Sequence, residues 1–314
     1  MKLQYDLSLD QLWDHTSESI VPNDLFDFWQ LQKEKLARVP LDFDLKKIQY
    51  PSKDISVYLL SFKSINGDLI YGYYAHPNEF DEGNVKVLLQ YHGYNWAMDG
   101  DLLSVVNAAY QGFHSYKMLV RGQQMSEDST PSFGNPIGYL SKGIHNLEDY
   151  YYRYVYLDVV QSIDVVYSIL KDFKNIKFFA SGGSQGGALA LVAAALSNVP
   201  LSGVISTHPF LSDFRRSVRI VPEGPYHEIS EYLRRNSHID REVVFANLDY
   251  FDVTNLATLV SCPVLLGIGL VDDIVAPSTT FGIYNRLNSR KYIEVYPEYS
   301  HEVIPDFDLK AAGF

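Results

Sequence analysis

The chain has one cysteine, Cys262, in 314 residues. That leaves no intrachain disulfide and no cluster of thiolate metal ligands. Standing before Pro263 at the head of an apolar run, this cysteine reads as a core residue. Positive charge is also short: 26 Lys and Arg face 38 Asp and Glu, for a net charge of −12. A surface of that sign favours solubility and argues against binding to nucleic acid or an anionic membrane. The longest apolar run, Ala188 to Leu196, is too short for a membrane span. Met1-Lys2-Leu3-Gln4-Tyr5-Asp6 lacks the apolar stretch of a secretion signal, and a cytoplasmic protein is expected. Nucleotide-binding motifs fail too. No lysine closes the glycine-rich segment at 182–187, so it is not a P-loop. Ser184 and Gln185 stand where a dinucleotide fingerprint needs glycine, and Gly267-Ile268-Gly269 has Asp272 in place of its third glycine. His301-Glu302 opens like a zinc-protease motif, but Pro305 occupies the place of the second histidine. No cofactor and no catalytic metal are expected.

What the chain does carry is Gly182-Gly183-Ser184-Gln185-Gly186, a G-x-S-x-G segment. Ile176-Lys177-Phe178-Phe179-Ala180 before it reads as a short buried strand, and Ala188 to Leu196 after it as a buried helix. Strand, sharp turn and helix in that order are the setting of a nucleophile elbow. The turn needs glycine because side chains there would strike the strand below or the helix behind. The alternative is a glycine-rich connection whose serine merely caps the helix.

The rest of the chain supplies the frame. Residues 1–50 show amphipathic helical pattern around Asp24 to Trp29, punctuated by Pro22, Pro40 and Pro51, as in an arm wrapping a core. Residues 55–75 alternate about an Asn66-Gly67 turn, the pattern of an antiparallel hairpin. Further strands are expected at 85–91, 115–120, 203–206, 264–268 and 292–296, with helices between them at 154–170 and 278–287. Such alternation predicts one α/β domain over 1–314, with a mostly parallel sheet and helices on both faces. Residues 207–260 read as a helical insertion of the kind that caps a site.

A serine nucleophile needs a base and a group to orient it. On an α/β-hydrolase these follow in the order Ser, Asp or Glu, His, on loops after later strands. Asp272 and Asp273 follow the strand ending near Leu270, and His301 follows the strand ending at Tyr296. One of the two aspartates is expected to cap the helix near Pro277, and Asp272 lies nearer the strand end. No other histidine lies beyond the last strand; His114, His145, His208, His227 and His238 come too early in the chain. An oxyanion hole would draw one backbone N–H from Gln185 and one from the loop His92-Gly93-Tyr94-Asn95-Trp96, where Tyr94 is best placed. His92 reads either as a brace for that loop or as an ordinary histidine at a strand end.

These segments resemble the acetyl xylan esterase/cephalosporin-C deacetylase group of carbohydrate esterases (family seven). Arg121-Gly122-Gln123, the elbow Gly182 to Gly187 and His301-Glu302 carry the likeness. Gly93-Tyr94-Asn95, Tyr150 to Arg153 and Pro277-Ser278-Thr279 support it. The resemblance implies a triad of Ser184, Asp272 and His301, an oxyanion hole of Tyr94 and Gln185, and a structural Arg121. It implies short acyl substrates, chiefly acetyl esters of xylo-oligosaccharides and of cephalosporin C, in a homohexamer whose sites face an inner cavity. Gln124 and Met125 stand where such relatives have small residues, a change expected at the pocket mouth. Relatives continue beyond the position of Phe314 through a last helix, so the sequence is expected to be truncated.

The expected chemistry is acyl transfer through Ser184, released by water. The neighbouring readings are a general short-chain carboxylesterase or acyl-peptide hydrolase. A reading of another class is a catalytically silent binding protein on the same scaffold.

Overall fold

The computed structural model describes residues 5–96 and 100–314; Met1 to Gln4, part of the segment read above for a secretion signal, lie outside them. Nine strands run through the described residues as one sheet. They are β1 (Phe43–Ile48), β2 (Ile55–Lys63), β3 (Leu69–Pro77), β4 (Lys86–Tyr91), β5 (His114–Met118), β6 (Lys177–Gly183), β7 (Leu201–Thr207), β8 (Val264–Gly269) and β9 (Lys291–Tyr296). Their spatial order is β1-β2-β3-β5-β4-β6-β7-β8-β9. The first three strands are antiparallel and β3 meets β5 antiparallel, whereas every pair from β5 onward is parallel. This is the α/β-hydrolase sheet.

The expected hairpin is β2–β3, turned at Gly67 with φ of +89°. The arm departs from its helical reading. It does hold a helix, Leu25–Leu36, but then becomes the edge strand β1, zipped to β2 from Phe43↔Phe62 to Ile48↔Val57. Its sequence, Phe-Asp-Leu-Lys-Lys-Ile, keeps lysines on an edge where a free backbone would otherwise invite pairing.

Alternation along the strands divides the core. Leu60, Ile70, Tyr74, Leu89, Ala180, Val204 and Val264 face one side, against the helices Tyr151–Leu170 and Gln185–Leu196. Val57 and Ala75 face the other, under Gly100–Tyr110, and Leu265 faces the helix Pro305–Ala312. Helices therefore cover both faces. Tyr151–Leu170 starts a turn earlier than its apolar period suggests because Tyr151 and Tyr152 spend their hydroxyls internally. Tyr151 Oη donates to the Arg121 carbonyl (2.6 Å) and Tyr152 Oη to Gln185 Oε1 (2.9 Å). Cys262 is buried, as its apolar context suggests. The 207–260 segment carries the helices Phe214–Ile220, His227–Arg235, Arg241–Leu248 and Val253–Leu256.

Candidate active site

β6 ends at Gly183 and a helix begins at Gln185, leaving Ser184 alone at the turn with φ 57° and ψ −124°. A non-glycine residue held there stores roughly 1–3 kcal/mol of strain. The surroundings hold it: Ser184 N–H donates to the Thr207 carbonyl (2.9 Å), and its own carbonyl accepts from Phe210 and Ala188. Gly182 and Gly186 have no alternative. A Cβ on Gly182 would lie 2.4 Å from the Gly186 carbonyl carbon, and one on Gly186 only 2.1 Å from the Tyr91 oxygen.

The loops after β8 and β9 bring Asp272 and His301 to the same rim. Asp272 is fully buried, and its two oxygens divide the work. Oδ1 accepts the backbone N–H groups of Ile274 (2.9 Å) and Val275 (2.8 Å), while Oδ2 accepts from His301 Nδ1 at 2.9 Å. With Nδ1 donating, the neutral ring keeps its lone pair on Nε2. Burial pushes the Asp272 carboxyl up, but the contacts its oxygens accept, the His301 N–H among them, outweigh that and hold it well below the usual carboxylate range. Asp273 faces elsewhere, accepting from Ser300 Oγ (3.1 Å). Neither aspartate caps the helix Pro277–Arg286, contrary to the expectation. That helix starts from Ala276, and the Ser278 N–H is taken by Asp6 from the N-terminal arm at 2.7 Å.

Gly93 and Tyr94, Ser184, His208 and His301 line one cleft of about 580 Å³, with Phe210 and Ile274 among its apolar walls. His92 braces the loop over it in a single tautomer. Its Nδ1 donates to the Gly93 carbonyl (2.8 Å), and its Nε2 accepts the Val120 N–H (2.9 Å). Gln123 ties the same loop to the elbow: its Oε1 accepts the Asn95 N–H (2.7 Å), and its amide exchanges two hydrogen bonds with the buried Gln185 amide. Arg121 beside it is wholly buried and grips Asp158 with two bonds of 2.7 and 2.9 Å, plus Asp68 at 3.0 Å. It holds chain segments together and does not reach the cleft. Gln124 donates to the carbonyl of Trp96, which lines the cleft, and Met125 is exposed.

Two residues at this site were not expected from the sequence. Glu228, on the insertion helix His227–Arg235, accepts from Tyr94 Oη (2.5 Å) and from the Leu140 N–H (2.9 Å). Burial raises its carboxyl above the ordinary range. His208, excluded as the base by its place in the chain, lies against Asp272 with Nδ1 2.9 Å from Oδ2. Nothing local in the sequence marks either one, because both reach the site through long-range packing of the insertion.

Comparison with known proteins follows the same lines as this geometry. The family model described as acetyl xylan esterase (AXE1) matches residues 1–314. The chain belongs to the acetyl xylan esterase family. Among solved structures it is similar to an acetyl xylan esterase from Paenibacillus sp. R4, with 34% identity, 98% of both chains covered and a TM-score of 0.91. Acetyl xylan esterase 1 from Thermoanaerobacterium sp. JW/SL YS485 gives 32% identity and a TM-score of 0.90, over 99% of this chain and 98% of that one. A curated relative, acetyl esterase Axe7A of Xylanibacter ruminicola, is 28% identical over 287 residues, 89% of this chain. This family member spans 63% of that relative's length.

Proposed function

We propose that this chain is a serine esterase that removes acetyl groups from acetylated xylo-oligosaccharides, and from cephalosporin C as a second substrate. The observation that carries the reading is the Asp272–His301 hydrogen bond of 2.9 Å at the rim of the cleft that Ser184 also lines. Family membership narrows the acyl group to acetyl.

In this reading His301 Nε2 takes the proton of Ser184 Oγ as that oxygen attacks the ester carbonyl. Asp272 holds the ring tautomer and steadies the imidazolium that forms. The backbone N–H groups of Tyr94 and Gln185 receive the oxyanion. Gln185 suits that role because the first N–H groups of a helix have no intrahelical acceptor, and Gln185 opens the helix after the elbow. His301 then protonates the departing sugar hydroxyl, and water repeats the cycle to release acetate. The chemistry draws on no cofactor. A cytoplasmic homohexamer belongs to the same proposal and rests on the family resemblance.

The test is acetate release from acetylated xylobiose and from cephalosporin C, beside hydrolysis of a butyryl ester and of an acyl-peptide amide. Rapid release from both acetyl esters, abolished in Ser184→Ala, supports the proposal. Preference for the butyryl ester or the amide overturns the substrate assignment, and wild-type rates in Ser184→Ala overturn the mechanism.

A further inference from the structure

His208 follows β7 in the left-handed backbone region, with φ of 45°, and is 4% exposed. Its Nε2 lies 3.1 Å from the Glu302 carbonyl oxygen. A carbonyl only accepts, so Nε2 carries the hydrogen and the neutral ring's lone pair sits on Nδ1. That Nδ1 is buried, makes no hydrogen bond, and lies 2.9 Å from Asp272 Oδ2. Two electron-rich atoms side by side at that distance repel unless positive charge joins them. A proton shared between them would make a hydrogen bond along their line, yet this contact does not have hydrogen-bond geometry. Donors that converge on one ion aim beside each other, at the ion. His301 Nδ1 stands 2.9 Å from the same Oδ2, and ligand atoms of the three residues all lie within 4.8 Å of one another.

We propose that His208 Nδ1, Asp272 Oδ2 and His301 Nδ1 form a site for a divalent cation of the Zn²⁺ class, and that the ion switches the esterase off. Two imidazoles and one carboxylate suit Zn²⁺ and disfavour Mg²⁺ or Ca²⁺, which take all-oxygen sets. The bond from His208 to the Glu302 carbonyl is the kind of outer contact that fixes a metal-binding imidazole in its ligating tautomer. On binding, the His301 proton moves from Nδ1 to Nε2 and the Nδ1 lone pair passes to the metal, so no proton is lost from the ring. The nitrogen that would accept the Ser184 proton is then already occupied. A fourth coordination position is left for water. The inhibitory effect rests on the esterase reading; the binding itself does not.

The test uses the full chain after treatment with a chelator. Co²⁺ is titrated in while the visible absorption of tetrahedral cobalt is followed, and Zn²⁺ binding is measured by calorimetry. One equivalent should bind, with Zn²⁺ displacing Co²⁺, and Ser184→Ala should bind equally well. His208→Phe and His208→Gln, each checked for folding by circular dichroism, should weaken Zn²⁺ by at least ~10-fold. Zn²⁺ should inhibit acetyl-ester hydrolysis, and EDTA should restore it. No stoichiometric cobalt band in the wild type, or unchanged Zn²⁺ affinity in a folded His208 variant, overturns the site. Stoichiometric binding through His208 in a chain that hydrolyses no ester supports the site and overturns the esterase reading instead.

Discussion

Tyr94 Oη donates to Glu228 Oε1 across 2.5 Å, joining the loop after β4 to a helix of the 207–260 insertion. The same hydroxyl accepts the Tyr139 N–H at 3.0 Å, and Glu228 Oε2 accepts from Leu140. Burial raises the Tyr94 hydroxyl's pKa first of all, and the charge of Glu228 adds to it, so the phenol stays a donor. The insertion thus fixes the residue whose backbone N–H the proposed oxyanion hole uses.

Tyr94→Phe keeps that N–H but frees the loop that carries it. Displacement by about an ångström at a reacting centre costs up to ~100-fold in rate. We expect kcat to fall by about 10- to 100-fold with KM changed little, measured on an acetyl ester. An unchanged kcat would show that the hydroxyl plays no part in positioning.

The two adjacent aspartates separate by substitution. Asp272→Asn keeps the shape but can present an amide N–H to His301 Nδ1 and spoil the tautomer, and we expect kcat to drop by ~10⁴-fold. Asp273 meets Ser300 and not the imidazole, so Asp273→Asn should retain activity within about tenfold. Steady-state kinetics on both variants decides it; equal losses would refute the assignment of Asp272.

The elbow makes a prediction about stability. A methyl on Gly186 would sit 2.1 Å from the Tyr91 oxygen, whereas at Gly183 the nearest atom is the Thr207 oxygen at 4.0 Å. Gly186→Ala should lose at least ~3 kcal/mol in urea unfolding, and Gly183→Ala should stay within about 0.5 kcal/mol of wild type. The reverse order would mean that the turn is not built as described.

This contrast bears on what the sequence could reveal. The elbow was legible because strand, glycines and helix are contiguous, and because a buried parallel strand is a plain apolar run. That Asp272 and His301 meet at one rim was legible through strand order. Position at the strand end and the family resemblance favour Asp272 over Asp273; the side-chain direction that sets its Oδ2 against His301 shows only in the structure. β1 was missed because an edge strand mixes lysine with apolar residues and draws its identity from β2. Glu228, His208 and Asp6 reach the site region by contacts between segments far apart in the chain, which no local pattern encodes.

Acid should destabilise the fold through His114. Burial pushes its imidazole down to about 4, with His76, stacked at 5.3 Å, adding to the effect. Tyr74 Oη meets its Nδ1 at 2.7 Å. The unfolded chain takes up this proton near pH 6.5 and the folded chain only near pH 4. The stability that depends on a neutral His114 is therefore complete above pH 6.5 and is lost as the pH falls toward 4. Between pH 7 and 4, wild type should lose up to about 3 kcal/mol more than His114→Gln, measured by urea unfolding at each pH. Parallel pH profiles would exclude His114 as the titrating group.

The central claim is that Ser184 carries the acyl group. Wild-type protein and Ser184→Ala are mixed with an activated acetyl ester, quenched in acid within milliseconds, digested and analysed by mass spectrometry. The account predicts one acetyl group on the wild-type peptide containing Gly182 to Gly186, fragmenting to Ser184, and none in the variant. A wild-type protein that releases acetate while Ser184 stays unmodified and another residue carries the label would contradict it.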